Sequence, residues 1–258
     1  MAANAVAIIV ELFIIRVCYS QMVKVVIFTK KSSNFAVPKY SYLVIEMKVF
    51  KIFAAVVAVI AMVACTENKK QSVMTNREPA NIMVVVDLQK DFIDGNLPAT
   101  DGTRVVEPVK SVLTKFDKVY FTLDWHPWNH CSFKANGGIW PQHCVRYTVG
   151  AALPDGILDN LDINNVRFLP KGQAQDKEEY GQFENTKAND QDLVVKGDKV
   201  VVCGIAAEYC VLETLKNLVR LSKEVGFELS VYLEGVASIE TVDPLVTYMN
   251  ENNIRIYK

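Results

Sequence analysis

The chain has 258 residues, of which 28 are basic and 29 acidic, and its formal net charge is −1. With no basic surplus to neutralise phosphates, the composition gives no support to a nucleic-acid role and suits small neutral substrates better. Six cysteines without regular spacing are not the pattern of a disulfide scaffold, so thiols are available for chemistry.

The N-terminal part of the chain has the layout of a secretory signal. Lysines follow Met47, an uninterrupted apolar run extends from Ile52 to Ala64, and small residues lead to Cys65. A cysteine at this point resembles the lipobox of bacterial lipoproteins, which implies acylation of Cys65. We therefore predict an over-extended or unstructured segment at 1–46, a lipoprotein-type signal at 47–65 and a solvated linker at 66–80.

A used signal would place the protein in the cell envelope, on the periplasmic side, with Cys65 as its only link to the membrane. An unused signal would leave it cytoplasmic. The alternative for the apolar run is a buried helix followed by an inert Cys65.

After the linker, buried-type strands alternate with amphipathic helices. Six short apolar runs fit strands covered on both faces: Ile82 to Val86, Val119 to Leu123, Val166 to Leu169, Val200 to Cys203, Leu229 to Leu233 and Ile254 to Tyr257. Helical periodicity predicts Val105 to Phe116, Val211 to Val225 and Val242 to Asn250. The alternation predicts one α/β domain over 81–258, with a six-stranded, mainly parallel, doubly wound sheet and helices on both faces.

Polar residues follow four of the predicted strands. Ligands of an open parallel sheet bind outside the carboxyl ends of its strands, so Asp87, Asp124, Lys171 and Cys210 are expected on one rim. A thiol at a helix start beside a lysine should have a lowered pKa, and a carboxylate within reach can take its proton. Each residue also has an ordinary structural interpretation. Asp87 suits a helix cap, Lys171 a surface lysine and Cys210 a buried core thiol.

All three histidines fall between Asp124 and Cys144. Asp124 and His126 are two residues apart on an extended segment, and a loop closing over the strand end would add His143, which predicts a metal site. His130 is left open as a fourth ligand, a supporting group or a polar loop residue. The alternative is that the histidines are solvated. This ligand set accepts zinc, iron or manganese.

Five motifs resemble the isochorismatase-like cysteine hydrolases, over Ile82 to Lys258. The DLQKDF run at Asp87 and the segment from Gly204 to Val211 carry the superfamily resemblance. The DWHP run at Asp124, the WPQHCV run at Trp140 and the lysine of Lys171–Gly172 are similar to its nicotinamidase branch. The resemblance implies a Rossmann-like three-layer fold and hydrolysis of nicotinamide, or an analogue, to nicotinate and ammonia.

The resemblance also implies roles for single residues. Cys210 would attack the amide carbon and form a thioester, Asp87 would shuttle the proton, and Lys171 would balance charge between them. The metal would be a divalent ion, first of all zinc, that binds the pyridine nitrogen of the substrate; its implied ligands are Asp124, His126 and His143.

The remaining implied roles concern the substrate. The backbone amides of Ala206 and Cys210 would form the oxyanion hole, next to a cis peptide between Ile205 and Ala206. Phe92 and Trp140 would sandwich the ring.

Two residues depart from the family pattern: Glu208 replaces a frequent aspartate, and Gly181 stands where a hydroxyl residue is frequent. The alternatives are another amidohydrolase of the superfamily, which would not need the metal loop, and an inactive ligand-binding lipoprotein. The sequence leaves the oligomeric state open, homo-oligomer included.

Overall fold

The structure is a computed structural model and describes residues 77–187 and 193–258. The predicted segments 1–46 and 47–65, and the linker 66–80 up to residue 76, lie outside the described residues and stay predictions. In the described part of the chain, no helix is both long and apolar enough to cross a membrane.

One six-stranded sheet forms the centre of the described region. Its strands are β1 (Asn81–Val86), β2 (Lys118–Asp124), β3 (Val166–Lys171), β4 (Lys199–Gly204), β5 (Glu228–Val236) and β6 (Arg255–Ile256). They lie in the order β3-β2-β1-β4-β5-β6, and every pair is parallel. The predicted fold class is therefore confirmed, with a sheet that is parallel throughout.

The two central strands are the most apolar ones. In β1 every residue after Asn81 is buried, and β4 is likewise buried after Lys199. Val84 pairs with Val202 at the middle of the sheet. Strands covered on both faces need such continuous runs, because a polar side chain on either face would be buried without a partner.

Within residues 77–187 and 193–258, four α-helices connect the strands: α1 (Lys90–Ile93), α2 (Val106–Leu113), α3 (Leu212–Val225) and α4 (Asp243–Glu251). A π-helical turn, Ala207–Val211, leads into α3. The connection from β1 to β2 runs across the sheet in one direction, and the connection from β4 to β5 runs in the other. Because both crossovers are right-handed in such folds, α2 and α3 cover opposite faces and complete the three layers.

The predicted helix ends were wrong at several positions. The helix predicted over Val105 to Phe116 is shorter, since Val105 ends a 3-10 turn and Phe116 is held by a bond from its N–H to the carbonyl of Leu113. Val211 belongs to the π-helical turn, and α4 is displaced by one residue, because Pro244 suits the first helical turn. The short helix α1 was not predicted.

All six strands also differ by at least one residue from their predicted extents, and β5 differs most. Strand β5 continues beyond Leu233 to Val236, which pairs with Gly204 although Glu234 and Gly235 interrupt the apolar run. Strand β6 is only two residues long. Pairing with a neighbouring strand decides where β5 and β6 end. The hydropathy of one segment does not show which residues pair with a neighbour.

The strand order creates a crevice at one edge of the sheet. Connections leave β1 and β4 in opposite directions, so the carboxyl ends of these neighbouring strands border a topological switch point, where open α/β sheets bind ligands. Asp87 follows β1, and the turn to Cys210 follows β4. Asp124 and Lys171 end β2 and β3 in register with each other.

Candidate active site

The ammonium group of Lys171 is the centre of the site. Its Nζ lies 2.8 Å from Oδ2 of Asp87 and 3.5 Å from Sγ of Cys210, and it also contacts Oδ1 of Asp124. All four side chains are buried. The tertiary structure thus brings together the predicted acid, lysine and thiol, which lie far apart along the chain.

Asp87 is held in place by the neighbouring strand. Its N–H lies 3.2 Å from both the carbonyl and the hydroxyl oxygen of Thr122. The Thr122 hydroxyl donates to Oδ1 of Asp87 at 2.6 Å, so Oδ2 is directed to Lys171. One carboxylate oxygen is therefore fixed by the scaffold while the other faces the reacting groups.

The pKa of the Cys210 thiol is raised, contrary to the expectation of a lowered pKa. Burial raises the pKa of Cys210 well above its ordinary value, and the attraction of Lys171 only partly opposes this. The physical reason is that Cys210 lies inside the buried π-helical turn rather than at an exposed helix start, so desolvation of the thiolate outweighs the favourable charge. Activation of this thiol requires a base.

Asp87 is placed to be that base. Carboxylate oxygens of Asp87 and Asp124 and the sulfur of Cys210 all lie within 4.8 Å of one another. Burial raises the pKa of Asp87, against the attraction of Lys171, which makes it a better proton acceptor than an exposed aspartate.

The opposite charges keep each other ionised. Burial disfavours the ammonium of Lys171, but Asp124 and Asp87 outweigh it and raise the pKa of Lys171 well above its ordinary value. Burial likewise opposes ionisation of Asp124, yet Lys171 and then His126 lower the pKa of Asp124. The ammonium of Lys171 therefore stays charged between the two carboxylates. Its positive charge can also stabilise a thiolate or an oxyanion nearby.

The turn that carries Cys210 begins at a cis peptide bond between Ile205 and Ala206, as the resemblance implied. Neighbouring amides donate to backbone carbonyls: those of Ile205 to Val86, Ala207 to Ala237, and Tyr209 and Val211 to Ala206. None of these bonds uses the amides of Ala206 and Cys210, the two predicted oxyanion donors.

Asp124, His126 and His143 form a compact ligand group. One ligand atom from each lies within 4.8 Å of the others, and all three residues are buried. Nε2 of His126 lies 3.4 Å and Nε2 of His143 lies 3.8 Å from Oδ2 of Asp124.

The opposite ring nitrogens decide the tautomers. Nδ1 of His126 is 2.9 Å from the carbonyl oxygen of Gly172, and Nδ1 of His143 is 2.8 Å from that of Pro141. Carbonyls only accept hydrogen bonds, so Nδ1 carries a proton in both rings and Nε2 is the nitrogen that faces Asp124. With Nε2 unprotonated, one carboxylate and two imidazoles would fit a divalent cation with positions left for substrate or water.

Sequence reasoning missed the residues that orient these ligands. The buried Gln89 donates from Nε2 to the carbonyl of Asp124 at 2.8 Å and accepts the N–H of Asp124 at 2.8 Å. Asp91 accepts the N–H of Cys144, next to His143, at 2.7 Å. Both belong to the DLQKDF run, and their polarity in a buried segment was the available signal.

His130 is not a member of the ligand group. It is buried, and its two ring nitrogens lie 2.7 Å from the hydroxyl of Ser132 and 3.0 Å from the carbonyl of Lys177. Its ring stacks on the ring of His126.

The two residues predicted to hold the substrate ring lie beside different parts of the site. The ring of Phe92 is 5.4 Å from the ring of His143. Trp140 donates from Nε1 to the hydroxyl of Tyr180 at 3.0 Å, and its ring meets that of Tyr209 at 5.1 Å. The rings of Tyr180 and Tyr209 lie 5.6 Å apart, and neither residue was predicted.

The two departures from the family pattern have structural explanations. The carboxylate of Glu208 accepts the N–H groups of Ile239, Glu240 and Thr241 and so anchors the segment before α4. At Gly181 an added Cβ would lie 2.8 Å from Nδ2 of Asn217, so contact with α3 leaves no room for a side chain.

The fold and this centre define a three-layer α/β protein of the hydrolase class. The isochorismatase domain family matches residues 81–243, and the chain belongs to this family.

Several curated relatives of this chain are nicotinamidases. The nicotinamidase of Saccharomyces cerevisiae is 27% identical over 214 residues, which is 67% of this chain and 97% of the relative. The nicotinamidase/pyrazinamidase of Mycobacterium tuberculosis is 32% identical over 54% of this chain and 78% of the relative.

Solved structures agree with the fold. The pyrazinamidase of Pyrococcus horikoshii in complex with zinc has a TM-score of 0.59 and 32% identity, over 70% of this chain and 99% of that protein. The yeast nicotinamidase bound to the inhibitor nicotinaldehyde has a TM-score of 0.60 and 25% identity, over 69% of this chain and 100% of that protein.

Proposed function

We propose that the protein is a nicotinamidase, which hydrolyses nicotinamide to nicotinate and ammonia. The observation that carries the proposal is the convergence of Asp87, Lys171 and Cys210 next to the ligand group of Asp124, His126 and His143. The names of the relatives support the same substrate, as does a neighbouring structure of 26% identity from L. infantum in complex with nicotinate.

The first half-reaction forms an acyl-enzyme. Asp87 takes the proton of the Cys210 thiol, and the sulfur attacks the amide carbon, so a C–S bond forms and the carbonyl electron pair moves to oxygen. The amides of Ala206 and Cys210 donate to this oxyanion. Asp87 then gives its proton to the amide nitrogen, the C–N bond breaks, ammonia leaves and a thioester remains.

The second half-reaction restores the enzyme. Asp87 takes a proton from water, whose oxygen attacks the thioester carbon. The C–S bond breaks, the sulfur recovers that proton from Asp87, and the acid formed leaves as nicotinate after losing its remaining proton to solvent. Lys171 stays charged throughout and stabilises, in turn, the carboxylate and the thiolate beside it.

The substrate ring requires its own binding groups. Asp124, His126 and His143 would hold a divalent cation, for which zinc is the simplest choice and iron or manganese suit the same donors. When bound, that cation supplies a Lewis-acid position for the pyridine nitrogen. Phe92 and Trp140 would flank the ring.

The test is ammonia release from nicotinamide by the purified protein and two cysteine variants. Cys210→Ala should lose at least about a thousand-fold in activity, because the nucleophile is gone. Cys203→Ala is the matched control, since Cys203 is also buried but lies in β4 among apolar residues. It should retain activity.

Chelation separates the alternatives. Activity should vanish after metal removal and return with added Zn²⁺. Turnover that is indifferent to chelation would instead indicate another amidohydrolase of the family. Ammonia release by Cys210→Ala at the wild-type rate would overturn the proposed mechanism, and a protein that binds nicotinamide without turnover would be a binding protein.

A further inference from the structure

His130 is buried beside the proposed cation ligands, yet its nitrogens are already engaged. Nε2 lies 3.0 Å from the carbonyl oxygen of Lys177, which can only accept, so this nitrogen carries the proton. Nδ1 then accepts from the Ser132 hydroxyl at 2.7 Å. No lone pair of this ring is left for a cation, which argues against His130 as a fourth ligand.

The ring of His130 instead covers a face of His126. The two ring centroids are 4.1 Å apart and the ring planes differ by 28°, which is a stacked arrangement. Stacking at this distance resists tilting of the His126 ring, which would move its Nε2 away from Asp124.

Two other neighbours contact the ring of His126. The ring of Phe133 meets it edge-to-face, with the ring centroids 5.6 Å apart and the planes at 89°. The backbone of Gly172 lies so close that a Cβ added there would be 2.4 Å from Cε1 of His126. The carbonyl oxygen of Gly172 also accepts a hydrogen bond from Nδ1. The stack from His130 adds to these contacts, which together hold the ring with Nε2 toward Asp124 and the ring of His143.

We propose that His130 is a positioning residue for the cation site: its ring, anchored by Ser132 and Lys177, holds His126 in the ligating orientation and so strengthens cation binding without contacting the cation. This inference rests on the proposed function only for the existence of the cation site. It concerns affinity for the ion and not the fate of nicotinamide.

The experiment is a Co²⁺ titration of the metal-free protein, read by the visible absorption of the bound ion, in the wild type, His130→Ala and His130→Phe. Loss of a group that orients a ligand typically weakens metal affinity about 10- to 100-fold, which is expected for His130→Ala. Phenylalanine keeps the stacked ring but has no nitrogen. Because both anchoring hydrogen bonds are lost, His130→Phe should bind Co²⁺ less tightly than the wild type but more tightly than His130→Ala, and with the wild-type spectrum.

Two results would overturn the proposal. A His130→Phe variant that loses as much affinity as His130→Ala, with an altered Co²⁺ spectrum, would make His130 a ligand. A His130→Ala variant with wild-type affinity would mean that the stack does nothing for the site.

Ser132→Ala provides an independent arm if His130→Ala does not fold, which circular dichroism would show. It removes the hydroxyl that anchors Nδ1 but leaves the ring, so it should weaken Co²⁺ binding with an unchanged spectrum; unchanged affinity would contradict the anchoring role. The measurement contains no substrate. Failure of the nicotinamidase proposal would appear only in the ammonia assay and is thus distinguishable.

Discussion

Thr122 shows how a single hydroxyl prepares the proposed base. Its O–H donates to Oδ1 of Asp87 at 2.6 Å, and both residues are fully buried. The sequence marks Thr122 only as one polar residue inside an apolar strand. Its importance depends on β1 and β2 being neighbours, which a single strand does not reveal.

Thr122→Val is predicted to lower kcat/KM for nicotinamide about 10- to 100-fold. A hydrogen bond to a charged group contributes about 1.5–3 kcal/mol, and each 1.4 kcal/mol corresponds to about tenfold in rate. Valine keeps the shape and the strand preference, so the fold should persist. Steady-state kinetics would check this, with Thr100→Val as the control, since the Thr100 hydroxyl bonds the carbonyl of Ile239 at an exposed position. Equal kcat/KM in both variants would contradict the role of Thr122.

The raised pKa of Cys210 predicts a characteristic pH dependence of its alkylation. A thiol with a raised pKa has less thiolate at neutral pH than free cysteine and gains it only at higher pH. The rate of reaction with iodoacetamide, followed by the mass of the Cys210 peptide, should keep rising above pH 9. N-acetylcysteine in the same buffers is the reference. A plateau near pH 7 would show that the thiolate is already formed in the free enzyme.

Helix α3 illustrates which element boundaries local chemistry decides. Its end at Val225 was predicted, and Gly226 follows in the left-handed conformation, with φ +90° and its N–H donating to the carbonyl of Ser222 at 2.9 Å. Its beginning was not predicted, because the π-helical turn before it depends on contacts of the strand end and of Ala237.

Gly226→Ala should lower the free energy of unfolding by about 1–2 kcal/mol, the cost of a left-handed alanine. The added Cβ would meet only the Lys196 side chain at 3.5 Å, so the loss isolates the backbone cost. Urea denaturation measures it. Lys223→Ala in the same last turn, exposed to solvent, should change stability by no more than about 0.5 kcal/mol. If the two variants lost the same free energy of unfolding, the left-handed conformation of Gly226 would not explain the effect.

The whole molecule couples the proposed cation to folding, because its ligands come from separate segments. Asp124 and His126 follow one strand, whereas His143 lies in a loop that Asp91 holds in place. An ion that binds only when these segments are assembled stabilises the folded state by mass action.

Zinc is therefore predicted to raise the thermal unfolding midpoint of chelated protein. At 100 times its dissociation constant the ion contributes about 2.7 kcal/mol, which for a domain of this size corresponds to about 5–10 °C. Differential scanning fluorimetry with and without Zn²⁺ would measure the shift. His126→Asn should abolish it; a shift of the same size in this variant would locate the ion elsewhere.

The sequence by itself determined the fold class and indicated which side chains meet at the edge of the sheet. Short apolar runs that alternate with amphipathic helical segments indicated strands covered on both faces, and residues that follow parallel strands share one edge of the sheet. For that reason the sequence could place together Asp87, Lys171 and Cys210. The same reasoning predicted Asp124, His126 and His143.

Only the tertiary structure decided how these groups behave. The raised pKa of Cys210 follows from its burial, and the direction of the His126 ring follows from its contacts with Gly172 and His130. The strand order decides which residues lie next to Asp87. Desolvation and hydrogen bonding depend on three-dimensional neighbours, so patterns along the chain indicate which residues take part but not the charge or orientation that they adopt.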